Sequence, residues 1–314
     1  MQRTNTNLSE CIKAKAKELG FDLCGIARAK KLNHAESELV KWCGEGMHDR
    51  MNYLVRDTNK RSDPRQFFPG TKSVIVTGLN YFTRNRQRNT DVPLISLYAL
   101  GKDYHDVIIG KLNQLLEYVK TIAPNASGKA CCDTSPVMEK LWAVEAGIGW
   151  RGKHSVIINE EIGSFFFIGI LLLDIELDYD KTFSEDKCGN CTLCIDNCPT
   201  GAINCDRTID ARKCIANLTI NPKEPFSEQL IPLMGRQVYS CDICQEACPW
   251  NKKAEEHKTP EFTISADLAN MNRNDWLNLD EKQFEKLFSG SPIERMKFDR
   301  FKKNIEAILR NLEI

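Results

Sequence analysis

Eight of the fourteen cysteines in this 314-residue chain form an ordered pattern between positions 188 and 248. The first run, Cys188-Gly-Asn-Cys191-Thr-Leu-Cys194-Ile-Asp-Asn-Cys198-Pro199, has the spacing C-x2-C-x2-C-x3-C-P. Three thiolates two residues apart can wrap three corners of an iron–sulfur cubane, and the fourth then ligates a neighbouring cluster. The second run, Cys241-Asp-Ile-Cys244-Gln-Glu-Ala-Cys248-Pro249, lacks a leading cysteine because Val238 stands there. Cys214 is the natural substitute, ahead of Cys205. The ligands are then exchanged. One [4Fe–4S] cluster takes Cys188, Cys191, Cys194 and Cys248; the other takes Cys198, Cys214, Cys241 and Cys244. Two zinc knots are the competing arrangement, but zinc sites come as separated C-x2-C pairs rather than a triple followed by Cys-Pro. Two adjacent clusters form an electron wire, and a wire implies a terminal where something is reduced.

The rest of the composition fits that chemistry. No apolar core of a secretory leader is visible at the N-terminus, so the thiols are expected to be reduced and available as ligands in a cytoplasmic protein. The other six cysteines (Cys11, Cys24, Cys43, Cys131, Cys132 and Cys205) show no ligand spacing and read mostly as small apolar residues. The longest apolar run, Phe165–Leu173, is far too short to span a bilayer, so no membrane partner is expected. Lys plus Arg and Asp plus Glu number 43 each, so any nucleic-acid-binding face must be local.

The elements that would position a terminal lie upstream of the cysteines. Residues 7–20 read as a helix ended by Gly20, with Ile12, Ala16 and Leu19 on one face. The run from Ser73 to Tyr81 reads as a buried strand. Asp103 caps a long helix to about Ile122, with Ile108, Leu112, Leu115, Leu116 and Val119 at helical spacing and Pro124 beyond its end. A further helix is expected from Pro136 to Gly147 with Ser135 as N-cap. Two strands, 154–159 and 164–173, follow, and the chain after Pro249 reads as polar and helical, ending in a helix over 295–314. The pattern predicts an α+β (mixed α/β) fold. Gly147-Ile-Gly149-Trp-Arg-Gly152 matches G-x-G-x-x-G but follows a helix and precedes a strand, the reverse of a dinucleotide turn. Asp103-Tyr-His105 begins a D-x-H-x-x-G corrinoid signature but meets Ile108 where glycine is required.

Longer segments carry a more specific signal. They are Met51-Asn-Tyr-Leu54 with Arg56, Tyr98-Ala-Leu-Gly-Lys-Asp-Tyr-His105, and Asp133-Thr-Ser-Pro-Val-Met-Glu139. Gly147-Ile-Gly-Trp-Arg-Gly-Lys-His154, Gly163-Ser-Phe-Phe-Phe-Ile-Gly169, both cysteine runs and Asn304-Ile-Glu-Ala-Ile-Leu-Arg-Asn311 continue the series. Together they run in order along almost the whole chain, which thereby resembles the epoxyqueuosine reductases, cobalamin-dependent enzymes of the last step of queuosine synthesis. It is similar to a short form lacking the C-terminal HEAT-like helices of many members.

The resemblance implies a nitroreductase-like cobalamin-binding domain over 1–177, a ferredoxin-like domain with two [4Fe–4S] clusters over 178–255, and a C-terminal helical segment over 256–314. It implies reduction of epoxyqueuosine to queuosine at the tRNA wobble position by cob(I)alamin, with the clusters returning Co(II) to Co(I). Removing an epoxide oxygen as water takes two electrons and two protons, so a proton donor is needed. Asp133 matches the family's acid, and a donor must be protonated, so burial is expected to outweigh the pull of the helix start. Arg56, Asp133, Lys153, His154 and Ser164 are the expected corrin contacts. A low-potential donor of flavodoxin or ferredoxin type is the implied electron partner. For tRNA, Lys223 and Arg236 are the expected contacts. Arg84, Arg86 and Arg88, and the group Arg295, Lys297, Arg300, Lys302 and Lys303, are further basic clusters. Two other readings fit the cysteines: a corrinoid reductase of the reductive dehalogenase type, and a non-catalytic two-cluster electron carrier.

Overall fold

The computed structural model describes residues 7–221 and 225–312. Its spine is the strand Ser73–Asn80, buried along its whole length. Val74, Ile75, Val76 and Thr77 favour the extended backbone because their branched side chains crowd a helix. This strand pairs antiparallel with Leu23–Arg28 on one side and with Phe166–Leu173 on the other. Gly128–Cys131 adds antiparallel to the outer edge of Phe166–Leu173, completing a four-stranded sheet.

Both faces of the sheet are covered, which is why its central strands read as continuous apolar runs rather than alternating ones. Side chains alternate between faces. Ile26, Ile75, Leu171 and Leu173 share one core with Ile12 and Ala16 of the helix Leu8–Glu18 and with the long helix Tyr104–Ile122. Ala27, Val74, Val76, Ile170 and Leu172 face the other way, against Trp142 and Ala143 of the helix Glu139–Glu145. The long helix starts where its cap requires: Asp103 Oδ1 accepts the His105 backbone N–H at 3.0 Å. All five of its expected apolar positions are buried. It lies so close to the sheet that a Cβ at Gly169 would come within 2.7 Å of Ile108 Cγ2.

Three element boundaries differ from expectation. The helix expected from Pro136 starts at Glu139, with Met138 at its N-cap and no side-chain cap from Ser135. Tight turns hold the preceding loop out of the helix: Thr134 N–H donates to Cys132 O and Val137 N–H to Ser135 O, while Asp133 has φ +58°. The strand expected over 154–159 is only Ile157–Ile158, paired with Trp150–Arg151. Here the glycine run finds its explanation, because a Cβ at Gly149 would sit 2.0 Å from Ile158 O. The run builds a tight ribbon, not a phosphate loop. The last helix spans Phe298–Asn311, and Arg295 lies before it in the 3-10 turn Pro292–Met296.

The cysteine segment is stitched onto this sandwich. Leu94–Ile95 pairs parallel with Gln237–Tyr239. Asp242 is buried and accepts from the Ser96 hydroxyl and, at 2.8 Å, from Leu97 N–H. Asn304 of the last helix donates to Thr219 O and Val238 O, both at 2.9 Å. One apolar core therefore runs from Ile12 to Leu309 across the expected boundaries at 177 and 255.

Candidate cluster and cleft site

Four of the cysteines meet around one cavity. Cys188, Cys191, Cys194 and Cys248 together line a cavity of about 40 Å3 with Lys153, His154, Ile158, Pro249 and Trp250. Cys248 is thus removed from its sequence neighbours and seated with the first run. The other four also meet. Burial, and then the charges of Cys241, Cys214 and Cys198, push the Cys244 thiol well above its ordinary range. Cys205 is exposed and has no place among them. Among the described residues no group of three or more His, Cys, Asp or Glu closes on a point that one metal ion would fill. The first four thiols instead surround a space, the arrangement a multi-atom cluster needs. Local donors are already aimed at sulfur: Trp150 Nε1–H reaches Cys188 Sγ at 3.4 Å, and Ala202 N–H reaches Cys198 Sγ at 3.3 Å. Such bonds tune a cluster's potential.

Beside the first cavity opens a cleft of about 430 Å3, walled by apolar Leu39, Leu54, Val137 and Leu141 and carrying Asp133, Glu139 and Lys140. His154 lines both spaces. Its ring is buried, and Nδ1 accepts the Val156 backbone N–H at 3.2 Å. Burial, with Lys140 nearby, lowers its pKa to about 4, so the neutral ring carries its proton on Nε2. That buried nitrogen finds no hydrogen-bond partner among the described residues. An unpaired buried donor is costly, and an acceptor on a group bound in the cleft would satisfy it. A broad, partly apolar cleft with an orphaned donor on its wall fits a large flat cofactor such as a corrin.

Asp133 projects into this cleft with its side chain 65% exposed. Its Oδ2 accepts from Tyr104 Oη–H at 3.0 Å and lies 3.3 Å from His105 Nε2. The His105 hydrogen bond, against the opposing pull of partial burial, holds the carboxyl below its ordinary range. The downward pull comes from His105 rather than from a helix start, and the protonation expected of Asp133 depends on burial against a corrin face. The proton-rich groups are its neighbours. Burial works against a charge on His105, but its bonds to Asp103 and Asp133 raise its pKa to about 9. Burial, reinforced by Asp133, raises Glu139 to about 8, and Glu139 Oε1 accepts the Asp133 backbone N–H at 2.5 Å.

The remaining expected residues divide. Lys153 lines the first cysteine cavity and spends its ammonium on Gly189 O (2.8 Å) and Cys191 O (2.9 Å), bracing the cluster loop. Ser164 is fully buried and its hydroxyl accepts from Asn251 Nδ2 at 2.9 Å, away from the cleft lining. Arg56 is exposed and follows the turn Asn52–Val55, whose Tyr53 and Leu54 line the cleft. Arg236 ties down the 89–92 loop through Val92 O and Asn89 O, both at 2.8 Å. Lys223 lies outside the described residues. Arg84, Arg86 and Arg88 are each bonded to Glu256, Glu246 or Asn270, and Arg295 pairs with Asp103 at 2.7 Å. Sequence reasoning missed the roles of His105, Tyr104, Glu139 and Lys140. Tyr104, His105 and Glu139 lie in segments that carry the resemblance, but nothing in their spacing gives them a role.

Comparison with known proteins agrees with this geometry. A family model described as "Epoxyqueuosine reductase QueG, DUF1730" matches residues 61–134, and a "4Fe-4S double cluster binding domain" matches residues 187–251. An epoxyqueuosine reductase of Cyclobacterium marinum is 40% identical over 301 residues, covering 96% of each chain. That of Escherichia coli is 37% identical over 97% of this chain and 81% of its own. A crystal structure of epoxyqueuosine reductase with an epoxyqueuosine-modified tRNA-Tyr stem loop superimposes with a TM-score of 0.90 at 27% identity, over 98% of this chain and 82% of that one. With relatives this similar over nearly its whole length, the chain belongs to the epoxyqueuosine reductase family.

Proposed function

We propose that this chain reduces the epoxide of epoxyqueuosine to the alkene of queuosine at the tRNA wobble position, drawing electrons through two [4Fe–4S] clusters. The observation that carries the reading, beyond family membership, is that His154 borders both the first cysteine cavity and the cleft holding Asp133. Electron delivery and acid chemistry thus share one wall. A pure electron carrier has no use for an acid cleft beside its cluster.

When bound in the cleft, cobalamin supplies a nucleophilic two-electron centre that the clusters regenerate one electron at a time. Asp133 and His154 are the proposed contacts to it, with Arg56 at the rim. Lys153 and Ser164 serve the cluster loop and Asn251. The crossed cysteine sets are the proposed cluster ligands. Asp133 is the proposed donor to the epoxide oxygen: Oδ2 is pinned by Tyr104 and His105, so the carboxyl is oriented before the substrate arrives. The segments 1–177, 178–255 and 256–314 are proposed as divisions of labour, within one shared core. Phosphate contacts fall to cations not already committed within the fold, and a low-potential flavodoxin or ferredoxin is the proposed donor. No described helix is long and apolar enough to cross a membrane.

The test is conversion of epoxyqueuosine-containing tRNA by the cluster-loaded protein with cobalamin and a low-potential reductant. Queuosine should appear in digested tRNA, at a rate that falls as salt displaces phosphate contacts. Protein with full clusters and cobalamin that leaves the epoxide intact rejects the reading.

A further inference from the structure

Epoxide removal consumes two protons, so a proton given up by Asp133 has to be replaced. Its neighbourhood shows where the replacement comes from. His105 presents both ring nitrogens to carboxylates: Nδ1 lies 2.6 Å from Asp103 Oδ1 and Nε2 lies 3.3 Å from Asp133 Oδ2. Only the imidazolium can donate to both. Asp103 is itself held by Arg295, whose Nη2 donates to Oδ2 at 2.7 Å. That same Nη2 also lies 3.4 Å from His105 Nδ1, with Asp103 bonded to both cations. The ring cannot swing away easily, because Tyr104 stacks on it at 4.0 Å and in turn stacks on Phe167 at 4.2 Å. The chain ends in the open cleft, at Asp133.

We propose that His105, held as an imidazolium by Asp103 and through it by Arg295, reloads Asp133 with a proton each time Asp133 protonates the leaving oxygen. This rests on the function proposed above. The balance is explicit. The two C–O bonds break in turn and a C=C π bond forms, with the electron pair supplied by the reduced cofactor. The oxygen takes one proton on ring opening and a second on leaving as water. Each proton passes from His105 Nε2 to Asp133 and on to oxygen, and solvent reprotonates His105. Asp133 touches the substrate; His105 acts through it and is a positioning residue. Groups facing the pair are Asp103 and Tyr104 from the long helix, Arg295 from the C-terminal segment, Glu139 and Lys140 from the short helix, Cys132 beside Asp133, and Tyr53 from the rim. Tyr104 is raised by burial and then by Asp133, so it orients without giving up its proton. Glu139 is a second protonated neighbour near neutral pH, and its pH response must be separated from that of His105.

Two measurements decide this. Histidine-labelled full-length protein with its clusters, without cobalamin, is titrated by NMR. One of the five histidines should titrate far above the ordinary range, vanish in His105→Gln, and move down in Asp103→Asn, which retains a good helix cap. Single-turnover reduction of epoxyqueuosine tRNA by the loaded enzyme is then followed across pH and in D2O. His105→Gln should lose on the order of 10–100-fold in rate, with cobalamin affinity and KM unchanged, and should lose the alkaline limb that wild type and Glu139→Gln share. Asp103→Asn should shift that limb to lower pH. An ordinary His105 titration overturns the proposal. So does a high titration with full His105→Gln turnover and an unchanged profile, which leaves a structural ion pair. A wild-type protein inert on the tRNA despite a high His105 titration overturns the substrate reading, and the delivery role with it.

Discussion

The cysteine segment and the acid cleft are built on opposite principles. Around Cys188–Cys248 the proposed ligands are written into the chain as short spacings, and the proposal asks folding only to bring Cys214 and Cys248 across. Around the Asp133 carboxyl the partners are not local. The carboxyl comes from a loop, His105 and Tyr104 from the start of a helix 28–29 residues away, and Arg295 from the far end of the chain. A cluster imposes its own geometry on flexible thiolates, so the protein supplies ligand count and spacing. A proton donor has no such template, and its pKa is set by whatever the fold places within a few ångströms. The comparison can be broken or sharpened by experiment.

The largest effect belongs to the cysteines. Cys248→Ala should abolish the cluster of Cys188, Cys191 and Cys194, halving bound iron from roughly eight to roughly four atoms per chain. Iron analysis and EPR of the reduced protein read this directly. Disturbance of the other cluster alone would mean that the ligands are not exchanged.

Asp133→Asn comes next. Asn keeps the shape and can accept from Tyr104, so both clusters and the bound corrin should survive, while turnover falls by about 10²–10⁴-fold. Near-normal single-turnover rates would reduce Asp133 to a loop residue.

Glu139 gives a smaller, pH-shaped effect. Its folded pKa is raised to about 8, so the folded state holds a proton that the unfolded chain has released. Stability should therefore decline as pH rises from its ordinary range near 4.3 to about 8, then level off for this group. Glu139→Gln should flatten that decline in chemical denaturation series. His105 acts in the same direction over a higher window: its contribution is full below about 6.5 and is lost as pH rises through about 9. A decline confined to pH 6.5–9 and untouched by Glu139→Gln would assign the whole effect to His105.

The smallest effect is at Trp150. Trp150→Phe removes the N–H donated to Cys188 Sγ, a bond worth about 1 kcal/mol net. The cluster should assemble normally with a slightly lower potential in protein-film voltammetry. An unchanged potential would show that the bond does not tune it.

By itself the sequence determined the two cluster runs, the long helix with its Asp103 cap, and the buried central strands. Each is governed by interactions within a few residues: ligand spacing, capping and side-chain period. Cys214 is proposed on the same footing, because a missing leading cysteine calls for one other thiol. Local patterning misled where backbone turns overrode it, as in the loop before Glu139, where Ser135 and Pro136 imitate a helix start. Residue type alone leaves many uses open: Lys153, Ser164 and Arg236, expected at the corrin or the tRNA, are bonded to Cys191 O, Asn251 and Val92 O. Only the tertiary structure decided what surrounds Asp133. Its Oδ2 meets His105, which Asp103 holds, and Asp103 is held in turn by Arg295 from 162 positions further along the chain than Asp133. Electrostatic interactions act through space and fall off within ångströms. No spacing along the chain encodes them until the fold has closed.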